Sequence, residues 1–131
     1  MVPEEVADKP AVVDPSTITL ENGDTIAYGE YGDPEGNPIV LFHGTPGSRL
    51  LGALFDDIAA TAGVRLLTFD RPGFGQSDPC PTRSITDAGR YVTTVLDDAE
   101  IETTALLAFS GGSQHAIATA ATDDDRVARV D

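Results

Sequence analysis

The sequence predicts an α/β fold in which a β-hairpin leads into a parallel sheet carrying helices on both faces. Three observations predict it. Short runs at 39–42, 64–69, 103–109 and 126–130 place apolar residues on neighbouring positions, as strands covered on both sides do. The stretches between them carry apolar residues at helical spacing. Ahead of all of these, two β-rich stretches flank Asn22-Gly23, a pair that accepts the positive φ angles of a tight turn.

Residues 1–15 are polar, proline-containing and aperiodic, and read as a flexible acidic tail. The single domain is expected over 16–131. Its hairpin strands cover 16–20 and 25–31, joined by a type I′ turn at Asn22-Gly23. After the turn cluster 32–38 comes the run Ile39, Val40, Leu41, Phe42. Leu51, Leu54, Phe55, Ile58, Ala59 and Ala62 then predict one amphipathic helix, closed by Gly63 as its C-cap. The strand 64–69 follows. Ser84 with Asp87 has the form of a capping box, and Ile85, Ala88, Val92, Val95, Leu96 and Ala99 form an apolar stripe behind it. A third helix is expected from just after Ser110 to Ala121. Strands alternating with helices of this length imply right-handed crossovers and hence a parallel sheet.

Composition narrows the partners. The 131 residues hold 22 acidic against 8 basic side chains, a formal charge of −14, so phosphate backbones and anionic membranes are repelled. Nucleic-acid and membrane binding are excluded on this ground. Lys9 is the sole lysine and aspartate outnumbers glutamate. This halophilic-type balance resembles surfaces that work at high ionic strength, where screening removes most self-repulsion. The lone cysteine, Cys80, has no partner for a disulfide, and no His/Cys cluster at ligand spacing predicts a metal. No cofactor is expected. The start of the chain is acidic where a signal peptide is basic, and no apolar run reaches membrane-spanning length, so a cytoplasmic protein is expected.

Three loops carry chemistry. Ala108-Phe109-Ser110-Gly111-Gly112 stands between a buried strand and an amphipathic helix, the context of a nucleophile elbow. A serine at such an apex needs small residues two positions to either side, because strand and helix nearly touch; Ala108 and Gly112 meet that need. A serine N-cap on an ordinary βα loop is the competing reading. Next, His43-Gly44-Thr45-Pro46-Gly47 follows the run 39–42, at the carboxyl end of the sheet where such folds bind ligands. The backbone N–H groups of Thr45 and Gly111 become candidate oxyanion donors, although a plain turn explains Gly, Pro and Gly equally. Third, Asp70-Arg71-Pro72-Gly73-Phe74-Gly75-Gln76-Ser77-Asp78 follows the strand 64–69. Its Gly-x-Gly lacks the third glycine and the helix of a dinucleotide fingerprint, so a tight structural loop is expected.

Taken in order, these three loops resemble the α/β-hydrolase superfamily, over residues 18–130, in its esterase, aminopeptidase and haloperoxidase-like branch. The hairpin then matches the first two strands of that fold, and the chain reads as the N-terminal part of an α/β-hydrolase sheet. Epoxide hydrolases and haloalkane dehalogenases are similar in fold only, because they use aspartate where Ser110 stands. The resemblance implies Ser110 as nucleophile, Gly111 and Thr45 as oxyanion donors, and a small-molecule ester or amide as substrate, cleaved through an acyl-enzyme. It also implies an acid and a histidine later in the chain, which 131 residues stop too soon to include. His43 matches the family's structural loop histidine, His115 lies on a segment leading away from Ser110, and Asp70 follows the wrong strand for the acid. A partial domain of this kind is expected to be truncated after the helix behind the elbow, to be inactive or very weak alone, and to self-associate through its incomplete sheet edge. A non-catalytic remnant or binding module is the alternative.

Overall fold

The computed structural model describes residues 15–20, 23–44, 47–71, 73–78, 88–122 and 125–131. The expected tail, the Ser84 capping box, Cys80 and Thr45 therefore lie outside the described residues.

The strands are β1 (Ser16–Thr19), β2 (Thr25–Gly32), β3 (Asn37–Phe42), β4 (Val64–Phe69), β5 (Thr104–Ala108) and β6 (Val127–Val130). They form one sheet in the order β1-β2-β4-β3-β5-β6. β3 pairs in parallel with both β4 and β5, and β5 with β6, while β1/β2 and β2/β4 are antiparallel. The α-helices are α1 (Asp56–Thr61), α2 (Ala88–Asp98) and α3 (Ser113–Thr122).

Apolar residues on consecutive positions serve both faces of the sheet. Val40, Phe42, Leu67, Phe69 and Leu106 pack with Val92, Val95 and Leu96 of α2 and Ala116 of α3. Leu41 and Leu66 point the other way, against Ala59 of α1 and the half-buried Leu51 and Phe55. The α2 stripe is buried as its spacing predicts, at Ala88, Val92, Val95 and Leu96.

One local expectation needs correction. The first predicted helix opens as a 3₁₀ helix over Arg49–Phe55 and turns α-helical only at Asp56. Three residues per turn rotate the side chains away from the 3.6-residue stripe. Leu54 and Ile58, expected in the core, are 66% and 68% exposed. Gly63 does close this helix, with a φ of +69°. The turn expected at Asn22-Gly23 lies partly outside the described residues; beside it Leu20 N–H donates to Asp24 O at 2.8 Å, and Gly23 has a φ of +91°.

Candidate active site

Parallel pairing of β3 with β4 and β5 brings the loops that follow these three strands to one end of the sheet. Ser110 is the apex of the loop after β5. It is exposed, and its φ is +46°, which among the described residues only one other non-glycine residue, Glu100, matches in sign. A left-handed backbone costs a residue with a Cβ about 1–2 kcal/mol, so the bend is held by its surroundings.

Those surroundings are backbone. A 3₁₀ turn over Ser110–Gly112 leads into α3; Gly112 N–H donates to Phe109 O at 2.8 Å and Ser113 N–H to Ser110 O. Phe109 N–H reaches Phe42 O on β3 at 3.2 Å. A Cβ on Gly112 would stand 2.7 Å from the carbonyl oxygens of both Phe42 and His43. Only glycine lets the turn lie this close to the end of β3. Gly111, between Ser110 and Gly112 in the turn, is half-buried.

The loop after β3 abuts the same bend. A Cβ placed on Gly44 would lie 3.6 Å from Ser110 Cβ and 3.4 Å from Phe109 O. Thr45, the expected second donor, follows directly but lies outside the described residues.

His43 is 1% exposed, with both ring nitrogens engaged. Nε2 accepts the Arg71 N–H at 3.1 Å, which makes Nδ1 the protonated nitrogen, donating to Gly44 O at 2.8 Å. Burial, the largest influence, pushes its pKa below the ordinary value; the nearby Arg71 charge acts the same way, against the Gly44 hydrogen bond and Asp70. His43 is thus a neutral structural bridge and has no lone pair to act as a base on Ser110. His115 is half-buried on α3.

Asp70 is fully buried and accepts from Arg49 N–H at 2.6 Å, Arg49 Nη1 at 2.7 Å and Gln76 N–H at 2.9 Å. It serves the loops around it. Gly75 stands where any side chain would overlap that carboxylate, which gives this glycine a packing reason. The loop is fastened to β2 by Ser77 Oγ, which accepts Ala27 N–H at 2.9 Å, and by Asp78, whose carboxylate accepts Thr25 N–H at 2.8 Å.

Sequence reasoning missed Arg49. It is buried at the mouth of an apolar stretch, 21 positions from its partner, and nothing local in the sequence announces the pairing. Among the described residues no cluster of His, Cys, Asp and Glu has the makings of a metal site, and no helix is long and apolar enough to cross a membrane.

Comparison with known proteins gives one family. The family model described as alpha/beta hydrolase fold matches residues 37–130. A haloalkane dehalogenase of Psychrobacter cryohalolentis is 31% identical over 108 residues, covering 80% of this chain and 36% of the relative. The uncharacterized hydrolase YcgS of Bacillus subtilis is 30% identical over 115 residues, covering 85% of this chain and 38% of the relative. Among solved structures, epoxide hydrolase A of Mycobacterium thermoresistibile superposes with a TM-score of 0.74 at 27% identity, over 89% of this chain and 38% of that one. The chain thus spans well under half the length of the curated relatives it matches.

Proposed function

Since the chain belongs to the α/β-hydrolase fold family, we propose that it is the nucleophile-bearing part of a serine hydrolase that cleaves small-molecule esters or amides through an acyl-enzyme. One observation carries the reading. Ser110 occupies a left-handed bend between β5 and α3, exposed, with Gly112 pressed on the end of β3 and Gly44 beside it. A serine N-cap on an ordinary βα loop needs none of that, since an N-cap has an extended backbone and its neighbours are free to carry side chains.

In the proposed reaction Ser110 Oγ attacks the acyl carbon while its proton passes to a base, and the carbonyl electron pair becomes an oxyanion facing the amides of Gly111 and Thr45. Collapse expels the alcohol or amine and leaves the acyl group on Ser110, to be released by water. The base is not His43, whose nitrogens are both engaged. We assign the base and its acid to polypeptide equivalent to the part of the relatives that this chain does not span. The chain by itself is then a poor catalyst of turnover but keeps the serine and its backbone donors. The second reading, a non-catalytic binding module of the same fold, draws on that same locked histidine.

A fluorophosphonate probe followed by peptide mapping separates the two. Labelling confined to the peptide holding Ser110, and lost in Ser110→Ala, is the expected result. Labelling spread over other serines, or unchanged in the variant, ends the nucleophile reading.

A further inference from the structure

β6 is the last strand in the sheet order, and among the described residues no strand lies beyond it. Its outer side carries unused backbone groups. Asp131 N–H donates to Leu106 O at 2.8 Å and Ala108 N–H donates to Asp131 O at 3.0 Å, so Asp131 turns both main-chain groups toward β5. Residues of a parallel ladder face their partner strand alternately. Val130, in register with Leu106, therefore points its N–H and C=O outward.

Edges of this kind are commonly blunted by proline, lysine or a bulge. β6 holds neither proline nor lysine, Ala128, Arg129 and Val130 are exposed, and the irregularity in its pairing lies at Thr104/Ala105, ahead of this stretch. The charges that are present come as a pair. Arg129 Nε and Nη2 donate to the Asp131 carboxylate at 2.7 and 3.0 Å on one face of the strand, and Val130 stands between them on the other.

Arg-Val-Asp is thereby self-complementary. Turned about a two-fold axis through Val130, an antiparallel copy sets each arginine across from an aspartate. The main chain agrees with that register. Val130 meets itself, and its outward N–H and C=O exchange two hydrogen bonds with the same groups of the second copy. Arg129 and Asp131, turned toward β5, then form the non-hydrogen-bonded pairs, where Cα atoms are about 4.5 Å apart and side chains approach most closely.

We propose that β6 is a dimerisation edge that accepts a second copy of this chain, antiparallel and centred on Val130, to make one continuous sheet. The inference is independent of the role of Ser110. Two copies that each carry −14 repel over distances that salt screens, whereas charges in contact across the strands are screened far less, so the dimer grows with ionic strength.

Sedimentation velocity over a series of protein and salt concentrations reads the dimer. Arg129→Asp and Asp131→Arg each set like charges across from each other twice, and each alone is expected to dimerise on the order of 10-fold more weakly than the unsubstituted protein. Mixed in equal amounts, the two variants restore opposite charges across the strands, and the dimer is expected to recover to within about threefold. The mixed dimer carries the same total charge as two unsubstituted copies, so its recovery cannot come from net charge. Val130→Pro removes the outward N–H and leaves the bonds to β5 in place; it is expected to abolish the dimer at unchanged far-UV circular dichroism. A monomer at every concentration, a mixture no stronger than its components, or a folded Val130→Pro that dimerises like the unsubstituted protein overturns the proposal. Should Val130→Pro lose its circular dichroism, the charge-reversed mixture decides alone.

Discussion

Gly112→Ala is the substitution whose cost can be worked most directly from the geometry. The new methyl group would sit 2.7 Å from two backbone oxygens, those of Phe42 and His43, and 2.9 Å from Phe42 Cβ. Ordinary contact begins near 3.4 Å, so the turn must retreat by about 0.7 Å, and the two nearest neighbours are backbone oxygens at the end of β3 rather than the far ends of flexible side chains. The same retreat stretches Phe109 N–H to Phe42 O from its present 3.2 Å out of hydrogen-bonding range. Overpacking of this kind costs about 1–3 kcal/mol and the hydrogen bond about 1 more. The loss of glycine's freedom in the unfolded chain returns roughly 0.4–1 kcal/mol. The net expectation is about 2–3 kcal/mol of destabilisation, a drop of about 1–2 M in the urea midpoint for slopes typical of small domains. Gly63→Ala is the control, because a Cβ there meets nothing within 4 Å and only its φ of +69° is strained. It should cost about 1–2 kcal/mol. A Gly112→Ala midpoint equal to that of the unsubstituted protein would refute the argument that crowding at β3 shapes the bend.

Other substitutions test other links. Ser110→Gly relieves the left-handed strain while Ser110→Ala keeps it, so the glycine variant should be the more stable of the two by about 1 kcal/mol in urea unfolding; equal midpoints would show that the bend is unstrained. His43 is held neutral when folded, mainly by burial, whereas in the unfolded chain it titrates near the ordinary value of 6.5. The unfolded chain therefore takes up its proton first, so this contribution to stability is complete above about pH 6.5 and declines as the pH falls below it. With His115→Gln removing the only other histidine, the urea midpoint should fall between pH 7 and 5.5, and His43→Asn should flatten that slope; an unchanged slope would contradict the bridge. β6 lies at the end of the sheet order, with Val130 exposed, so self-association is expected to grow with salt as the charge of −14 is screened. Light scattering across a salt series, with Val130→Lys reducing the effect, checks this, and a monomer at every salt concentration would count against it.

The parts of the fold legible in the sequence are those set by hydrophobic pattern between firm punctuation. β4 runs from Val64 to Phe69 because an apolar run is bounded by a left-handed glycine and a charged loop. The α2 stripe was readable for the same reason. The stretch 49–61 was not, because its composition suits an α-helix and a 3₁₀ helix alike, and what bears on the choice is tertiary: Arg49, the first residue of the 3₁₀ stretch, is fixed to Asp70 and Thr68. The bend at Ser110 was legible from small residues around a serine. The reason Gly112 carries no side chain, that a Cβ there would stand 2.7 Å from the Phe42 and His43 carbonyl oxygens, exists only once β3 and β5 are paired. Likewise the role of Gly75 in the third loop, making room for the Asp70 carboxylate, depends on a contact five positions away that the Gly-x-Gly pattern does not announce.

A single-turnover experiment with p-nitrophenyl acetate bears most directly on Ser110. The expected result is a slow release of nitrophenol that stops near one equivalent, leaving an acetyl group on the peptide that contains Ser110 and none in Ser110→Ala. Acetyl found only on Lys9 or the amino terminus, or equal release by the alanine variant, would contradict it.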